Sequence, residues 1–190
     1  CQYLIGIATY WIKEYDIDGW RLDVSDEVSH TFWRQFRTAV KAIKPDCVLI
    51  GENWPDANVY LRGDQFDSIM NYAFTKACLD FYAFGQFGVE EFACKLNEIL
   101  MRNTDAVNKM MLNLLDSHDT HRFLTRVNGD KKKLMSALAL TYFFTGVPCI
   151  YYGTENAMEG GYDPDCRRTF DWSLENKDNE VKSLIKRLTA

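Results

Sequence analysis

Apolar and polar positions alternate between two registers along this chain. Between residues 3 and 15 the apolar side chains fall at Leu4, Ile7, Ala8, Trp11, Ile12 and Tyr15, the three-and-four spacing of a helix packed against a sheet. Residues 17–24, Ile-Asp-Gly-Trp-Arg-Leu-Asp-Val, then read as a short buried strand. Ser29 is placed to cap a helix whose inner side is Phe32, Trp33, Phe36, Val40 and Ile43, and Pro45 stops it. A second apolar run at 47–51 closes on Glu52-Asn53-Trp54. A third strand is predicted near 66–72, and one or two helices over 75–102 with Phe92, Leu96, Ile99 and Leu100 apolar. A fourth strand at 110–115 ends in Asp116-Ser117-His118-Asp119. Residues 134–144 form an apolar helix that Gly146 breaks, and 147–152 a fifth strand. A loop rich in Gly, Asp and Arg follows over 153–172, and a last helix begins near Glu180.

Strand and helix alternate throughout, which predicts an α/β fold with a parallel sheet and right-handed crossovers. Three of the five strands end in charged or polar clusters: Asp23, Glu52 and His118-Asp119. Several strand ends feeding one site is the pattern of a (β/α)8 TIM barrel, which typically takes about 250 residues. The expectation is a barrel fragment. Residues 1–190 would be the C-terminal part of the barrel, about strands four to eight, with the N-terminal barrel strands absent.

Composition narrows the function classes. The formal net charge of −5 argues against a nucleic-acid partner, which would call for a basic patch. No run of 18 apolar residues is present, so no membrane span is expected. The six cysteines (Cys1, Cys47, Cys78, Cys94, Cys149, Cys166) are scattered without a C-x-x-C pair, which suggests buried thiols, a reducing compartment and a cytoplasmic location. The chain opens inside a helix and without Met, so targeting signals are not readable from it.

The candidate chemistry lies at the strand ends. Arg21 and Asp23, two apart, share one face of a strand. A buried face rarely carries both charges unless they are paired or used. Two carboxylates on adjacent strand ends suit glycoside hydrolysis, one ionised to attack and one protonated to donate to the leaving oxygen. Arg21 would keep Asp23 ionised. Glu52 fits the donor, with Trp54 as an apolar neighbour that raises its pKa. Asp119 suits sugar hydroxyls, with His118 beside it. Each has a plainer reading that spacing leaves open. Asp23 and Arg21 equally make a structural ion pair, Glu52 a solvated residue after a strand, and 116–119 a helix cap before Thr120.

Taken together, the motifs resemble the alpha-amylase superfamily of retaining glycoside hydrolases. Gly19-Trp20-Arg21-Leu22-Asp23 is similar to its nucleophile strand and Gly51-Glu52-Asn53-Trp54 to its acid/base strand. Ser117-His118-Asp119 is similar to its third motif, with Ser where Asn is usual. Val147-Pro148-Cys149-Ile150-Tyr151-Tyr152-Gly153 is similar to its eighth strand. Three further stretches resemble the cyclomaltodextrinase, neopullulanase and maltogenic amylase subgroup. They are Tyr60-Leu61-Arg62-Gly63-Asp64-Gln65-Phe66-Asp67, Met70-Asn71-Tyr72 and Gly160-Gly161-Tyr162-Asp163-Pro164-Asp165-Cys166-Arg167.

The resemblance implies roles. Asp23 is the nucleophile that forms a glucosyl ester, Glu52 the general acid and then base, and Asp119 the transition-state stabiliser assisted by His118. Arg21 keeps Asp23 ionised. Asp163 and Arg167 match a pair that holds a glucose on the non-reducing side, Trp54 an aromatic near the leaving group, with Glu27, Val28 and Tyr72 lining the cleft. It implies an α-glucan oligosaccharide substrate: cyclomaltodextrins, pullulan or short maltooligosaccharides. It also implies a homodimer in the full-length protein and accessory β-domains outside this span. Calcium, bound by some members largely outside it, is not assigned, and no metal or cofactor is expected here. The alternatives are a transglycosylase on the same scaffold, or a catalytically incompetent fragment that only retains glucan-binding elements.

Overall fold

A computed structural model describes residues 1–54, 57–174, 177 and 179–190. The chain forms two compact units, Cys1–Met70 with Met101–Leu112, and Asn71–Leu100 with Asn113–Ala190.

The first unit begins with helix α1 (Gln2–Tyr15) and strand β1 (Gly19–Leu22). Helix α2 (His30–Ile43), strands β2 (Val48–Gly51) and β3 (Ser68–Ile69) follow. The three strands form a parallel sheet in the order β1-β2-β3, with Gly19 opposite Val48, Leu22 opposite Gly51, and Gly51 opposite Ile69. Glycine at 19 is a packing requirement, because a Cβ there would lie 2.5 Å from the Val48 carbonyl oxygen. Ser29 caps α2 as expected, its hydroxyl accepting the Phe32 N–H at 3.3 Å. Phe32, Trp33, Phe36 and Val40 are buried against Leu22, Leu49 and Phe66, while Ile43, expected inward, is exposed.

Helix α1 departs further from its amphipathic reading. Only Ala8 and Ile12 are buried, and Leu4, Ile7, Trp11 and Tyr15 are exposed. The reason lies in the sheet. Strand β1 is at its end, so among the described residues α1 has a covering partner on one side only.

The strands are also shorter than the apolar runs. Residues 17–24 contribute only Gly19–Leu22 to the ladder, because the chain turns at Asp23 and Val24 adopts a left-handed conformation (φ 42°). The run at 66–72 contributes only Ser68–Ile69, because the Asn71 side chain accepts the Phe74 N–H and starts a helix at Tyr72. An isolated parallel bridge joins Met70 to Leu112.

The second unit contains α3 (Tyr72–Tyr82) and α4 (Val89–Met101, ending one residue past it), so the region expected to hold one or two helices holds two. The four-residue helix α5 (Asp105–Asn108), in the first unit, was not legible in the sequence. Strands β4 (Leu112–Leu114) and β5 (Val147–Cys149) form a two-stranded sheet. Between them lie α6 (Phe123–Arg126), also unforeseen, and α7 (Lys131–Phe143); α8 (Glu180–Thr189) closes the chain. Asp130 caps α7 and Asn179 caps α8. The core of this unit gathers Phe74, Cys78, Phe92, Ile99, Phe123, Leu134, Leu138 and Val181. No helix among the described residues is long and apolar enough to cross a membrane.

Candidate active site

In the first unit the site is built on the ends of β1 and β2. Parallel strands of one sheet present their carboxyl ends on the same side, and the residue after each strand is free to carry chemistry. Asp23 follows β1 and Glu52 follows β2, in adjacent, in-register strands. Arg21 joins them. Its Nη1 donates to Asp23 Oδ1, and its Nη2 lies 3.1 Å from Glu52 Oε2 as an ion-pair contact without hydrogen-bond alignment. The two carboxylates differ in setting. The Asp23 side chain is 74% exposed, whereas that of Glu52 is 4% exposed.

The left-handed turn at Val24 serves this arrangement. It aims the Val24 N–H at Glu52 Oε2, 2.9 Å away. A β-branched residue in this region is strained, by about 1–3 kcal/mol, and persists only where its surroundings over-determine it. Those surroundings are visible. The Ser25 hydroxyl meets the Glu52 carbonyl and Asn53 Oδ1, both at 2.9 Å, the Ser25 N–H donates to the Glu52 carbonyl, and the Trp33 indole donates to the Ser25 carbonyl. Neither Val24 nor Ser25 was singled out from sequence, because a backbone donor leaves no signature in side-chain spacing.

A cation and a backbone N–H hold the Glu52 carboxylate. Trp54 is exposed. Asp23 and Val28 line the same open groove of about 530 Å³, together with Trp20, Phe32 and Leu4, Ile7 and Ala8 of α1. Glu27 ends the short turn Ser25–Glu27 and is exposed.

In the second unit four of the expected residues converge after β4. Asp119 Oδ1 pairs with Arg167 Nη2 at 3.0 Å, and Asp119 Oδ2 lies 3.0 Å from His118 Nε2. Arg167 Nε lies 2.9 Å from Asp163 Oδ1 and also donates to the His118 carbonyl at 2.9 Å. Arg167 therefore ties the two loops together. Ser117 shapes the first of them, its hydroxyl accepting the Asp119 N–H at 3.2 Å and meeting the Tyr72 hydroxyl at 3.1 Å. Tyr72 is thus placed beside the motif, but it is buried at the start of α3. The cap expected before Thr120 belongs instead to α6, where Asp116 Oδ2 accepts the Phe123 N–H at 2.7 Å.

Asp116 titrates abnormally. Burial pushes its pKa up from 3.8 to about 6, against the opposing pull of the Phe123 N–H and the Arg122 charge. Between these two pH values the folded state holds a proton that the unfolded state has lost. The resulting stability is present at low pH and disappears as pH rises through about 6. Asn at this position keeps the N–H acceptor and does not titrate. Relative to Asp116→Asn, the unaltered chain is expected to lose about 2 kcal/mol between pH 4 and pH 7. Urea unfolding of both proteins across that range measures it, and a pH-independent difference would refute it.

Comparison with known proteins gives concordant matches. A family model described as "Alpha amylase, catalytic domain" matches residues 1–188. A cyclomaltodextrinase of Thermoanaerobacter pseudethanolicus is 50% identical over 189 residues, covering 100% of this chain and 33% of that protein. An intracellular maltogenic amylase of Bacillus subtilis is 47% identical over 100% of this chain and 32% of its own length. Among solved structures, one titled cyclomaltodextrinase superposes with a TM-score of 0.94 at 44% identity, over 98% of this chain and 32% of that one. A cyclic α-maltosyl-(1→6)-maltose hydrolase of Arthrobacter globiformis, in complex with cyclic α-maltosyl-(1→6)-maltose, also reaches 0.94, at 37% identity, over 98% of this chain and 42% of that one. The chain therefore spans about a third of the length of the curated relatives it matches.

Proposed function

Because this chain belongs to the alpha-amylase catalytic-domain family, a TIM-barrel family, we propose that it supplies strands four to eight of a barrel that hydrolyses α-1,4-glucosidic bonds with retention. The substrates in this reading are cyclomaltodextrins, pullulan or short maltooligosaccharides, as the names of the relatives suggest. The first three strands and the accessory β-domains would lie outside residues 1–190, and the whole protein would be a cytoplasmic homodimer.

The observation that carries the reading is the Arg21 bridge between Asp23 and Glu52. A nucleophile must be presented in a fixed orientation, and the guanidinium hydrogen-bonded to Asp23 holds its carboxylate against a positive charge and fixes that orientation. Its exposure leaves the carboxylate accessible to an anomeric carbon. Glu52, buried and anchored by the Val24 N–H, is held rigidly enough to hand a proton to the leaving oxygen and then take one from water. Asp119, oriented by His118 and Arg167, accepts hydrogen bonds from sugar hydroxyls in the distorted ring. Asp163 and Arg167 hold a neighbouring glucose. In this reading Trp54, Glu27 and Val28 contact substrate beside Asp23 and Glu52, and Tyr72 supports the Asp119 loop through Ser117.

Product release from a cyclomaltodextrin, with pullulan and starch beside it, tests this reading in both this chain and a longer protein that contains it. Opening of the cyclomaltodextrin to linear maltooligosaccharides is expected of the longer protein, and little or none of this chain alone as a monomer. A longer protein silent on all three glucans would remove the hydrolase reading. Products longer than the substrate would mark transfer to a sugar hydroxyl in place of water.

A further inference from the structure

Arg122 is among the largest fully buried side chains of the described residues, at 0% exposed, and the mechanism above does not use it. It sits three residues after Asp119. Its backbone N–H donates to the Gly160 carbonyl at 3.0 Å, its Nε to the Cys166 carbonyl at 2.9 Å, and its Nη1 to the Tyr152 carbonyl. The guanidinium carbon lies 4.1 Å from the centre of the Tyr151 ring and 4.7 Å from that of Tyr152. Every one of these partners belongs to the segment 151–166, which leads into Arg167. The opposite side of the seam is closed as tightly. The Gly160 N–H donates to Thr125 Oγ1 at 2.8 Å, and a Cβ on Gly160 would lie 2.8 Å from the Asp165 carbonyl oxygen and 3.2 Å from Arg122 Cγ.

A buried guanidinium is costly to desolvate and is retained where fixed acceptors and ring faces hold it; here Nε and Nη1 each reach a carbonyl, and Nη2 is buried without a hydrogen-bond partner. Here the acceptors are backbone carbonyls of the loop that presents Arg167, and the donor stands on the loop that presents Asp119. We propose that Arg122 is a positioning residue that locks these two loops in register, so that Arg167 meets both Asp119 and the His118 carbonyl. This rests on the reading of Asp119 as a substrate-binding carboxylate. Lysine cannot reproduce it, because one ammonium lacks the planar fork that reaches two carbonyls while stacking on two rings.

The test is Arg122→Lys, with two readouts beside thermal unfolding. The first is the Arg167 Nε–H resonance, whose proton faces the His118 carbonyl across the two loops and Asp163 within its own, and which is identified by its loss in Arg167→Lys. The second is kcat and KM on a cyclomaltodextrin in a longer protein containing these residues. A misplacement of about 1 Å near the chemistry lowers rates by up to about 10²-fold. The expected result is an exposed, fast-exchanging Arg167 signal and kcat lower by about 10- to 100-fold, with KM changed less than about threefold. An unchanged Arg167 signal in a folded variant overturns the proposal, as does unchanged kcat. If Arg122→Lys does not fold, Gly160→Ala carries the test, since its methyl displaces the same seam from the other side. A protected Arg167 signal there is the overturning result. Should no glucan be turned over at all, the hydrolase reading fails, while the Arg167 resonance still decides the positioning role.

Discussion

Replacement of Asp23 by Asn is expected to lower turnover of a cyclomaltodextrin by at least about 10⁴-fold, which is about 5.5 kcal/mol in barrier height. The amide keeps the size and one acceptor oxygen of the carboxylate, but it is a poor nucleophile and carries no charge to stabilise an oxocarbenium-like transition state. Stability should hardly move. The Asp23 side chain is mostly exposed, and loss of an exposed ion pair typically changes stability by about 0–1 kcal/mol. Arg21 retains Glu52 as a partner, so no buried cation is orphaned. The assay is initial-rate product release with urea unfolding of the same samples. A folded Asp23→Asn protein active to within tenfold of the unaltered one would exclude Asp23 as the nucleophile.

Replacement of Glu52 by Gln is expected to have a different signature. Loss of a general acid typically costs about 10²–10⁴-fold on a glucan, whose leaving oxygen needs a proton. A glucosyl fluoride needs much less help, because fluoride leaves without full protonation. On that substrate formation of the glucosyl ester is expected to proceed, and the ester to accumulate, since Glu52 also activates the water that hydrolyses it. Trapping of a covalent adduct by mass spectrometry on Asp23 reads this directly. The same variant is expected to lose about 1–2 kcal/mol of stability, because Glu52 is buried and its contacts are with Arg21 and the Val24 N–H. If Glu52→Gln suffers equally on both substrates and no adduct forms, Glu52 is not the acid/base.

The elements that sequence reading placed well are those with long periodic patterns. Helix α2 was legible to within its cap, because Phe32, Trp33, Phe36 and Val40 repeat at helical spacing and Ser29 precedes them. The four-residue helices α5 and α6 were not, since a single turn carries no periodicity. The strands were located but overextended. Apolar residues continue past the last ladder hydrogen bond at both 17–24 and 66–72, and what ends the ladder is a turn at Val24 or a cap from Asn71.

The candidate site divides along the same line. Asp23, Glu52, His118, Asp119, Asp163 and Arg167 were legible because charged residues at the ends of apolar runs are conspicuous, and because their order resembles a known set of motifs. What sequence could not supply was the environment of each. Trp54 was the obvious neighbour for Glu52, but spacing does not point to Arg21, 31 positions earlier, or to the amide of Val24, which hold its carboxylate. Nothing in residue spacing marks Arg122, whose burial and backbone-carbonyl partners arise only in the fold.

By itself, then, the order of residues determined the alternating α/β architecture and which carboxylates follow the apolar runs. These follow from local periodicity and from the chemistry of side-chain types, both of which are properties of short stretches. Only the tertiary structure decided which charged groups pair, which amide faces Glu52, and which buried cation joins the two loops of the second unit. Those outcomes depend on atoms brought within about 3 Å by chain reversal and burial, where removal from water multiplies the strength of each contact. That proximity is written nowhere in the spacing of residues along the chain.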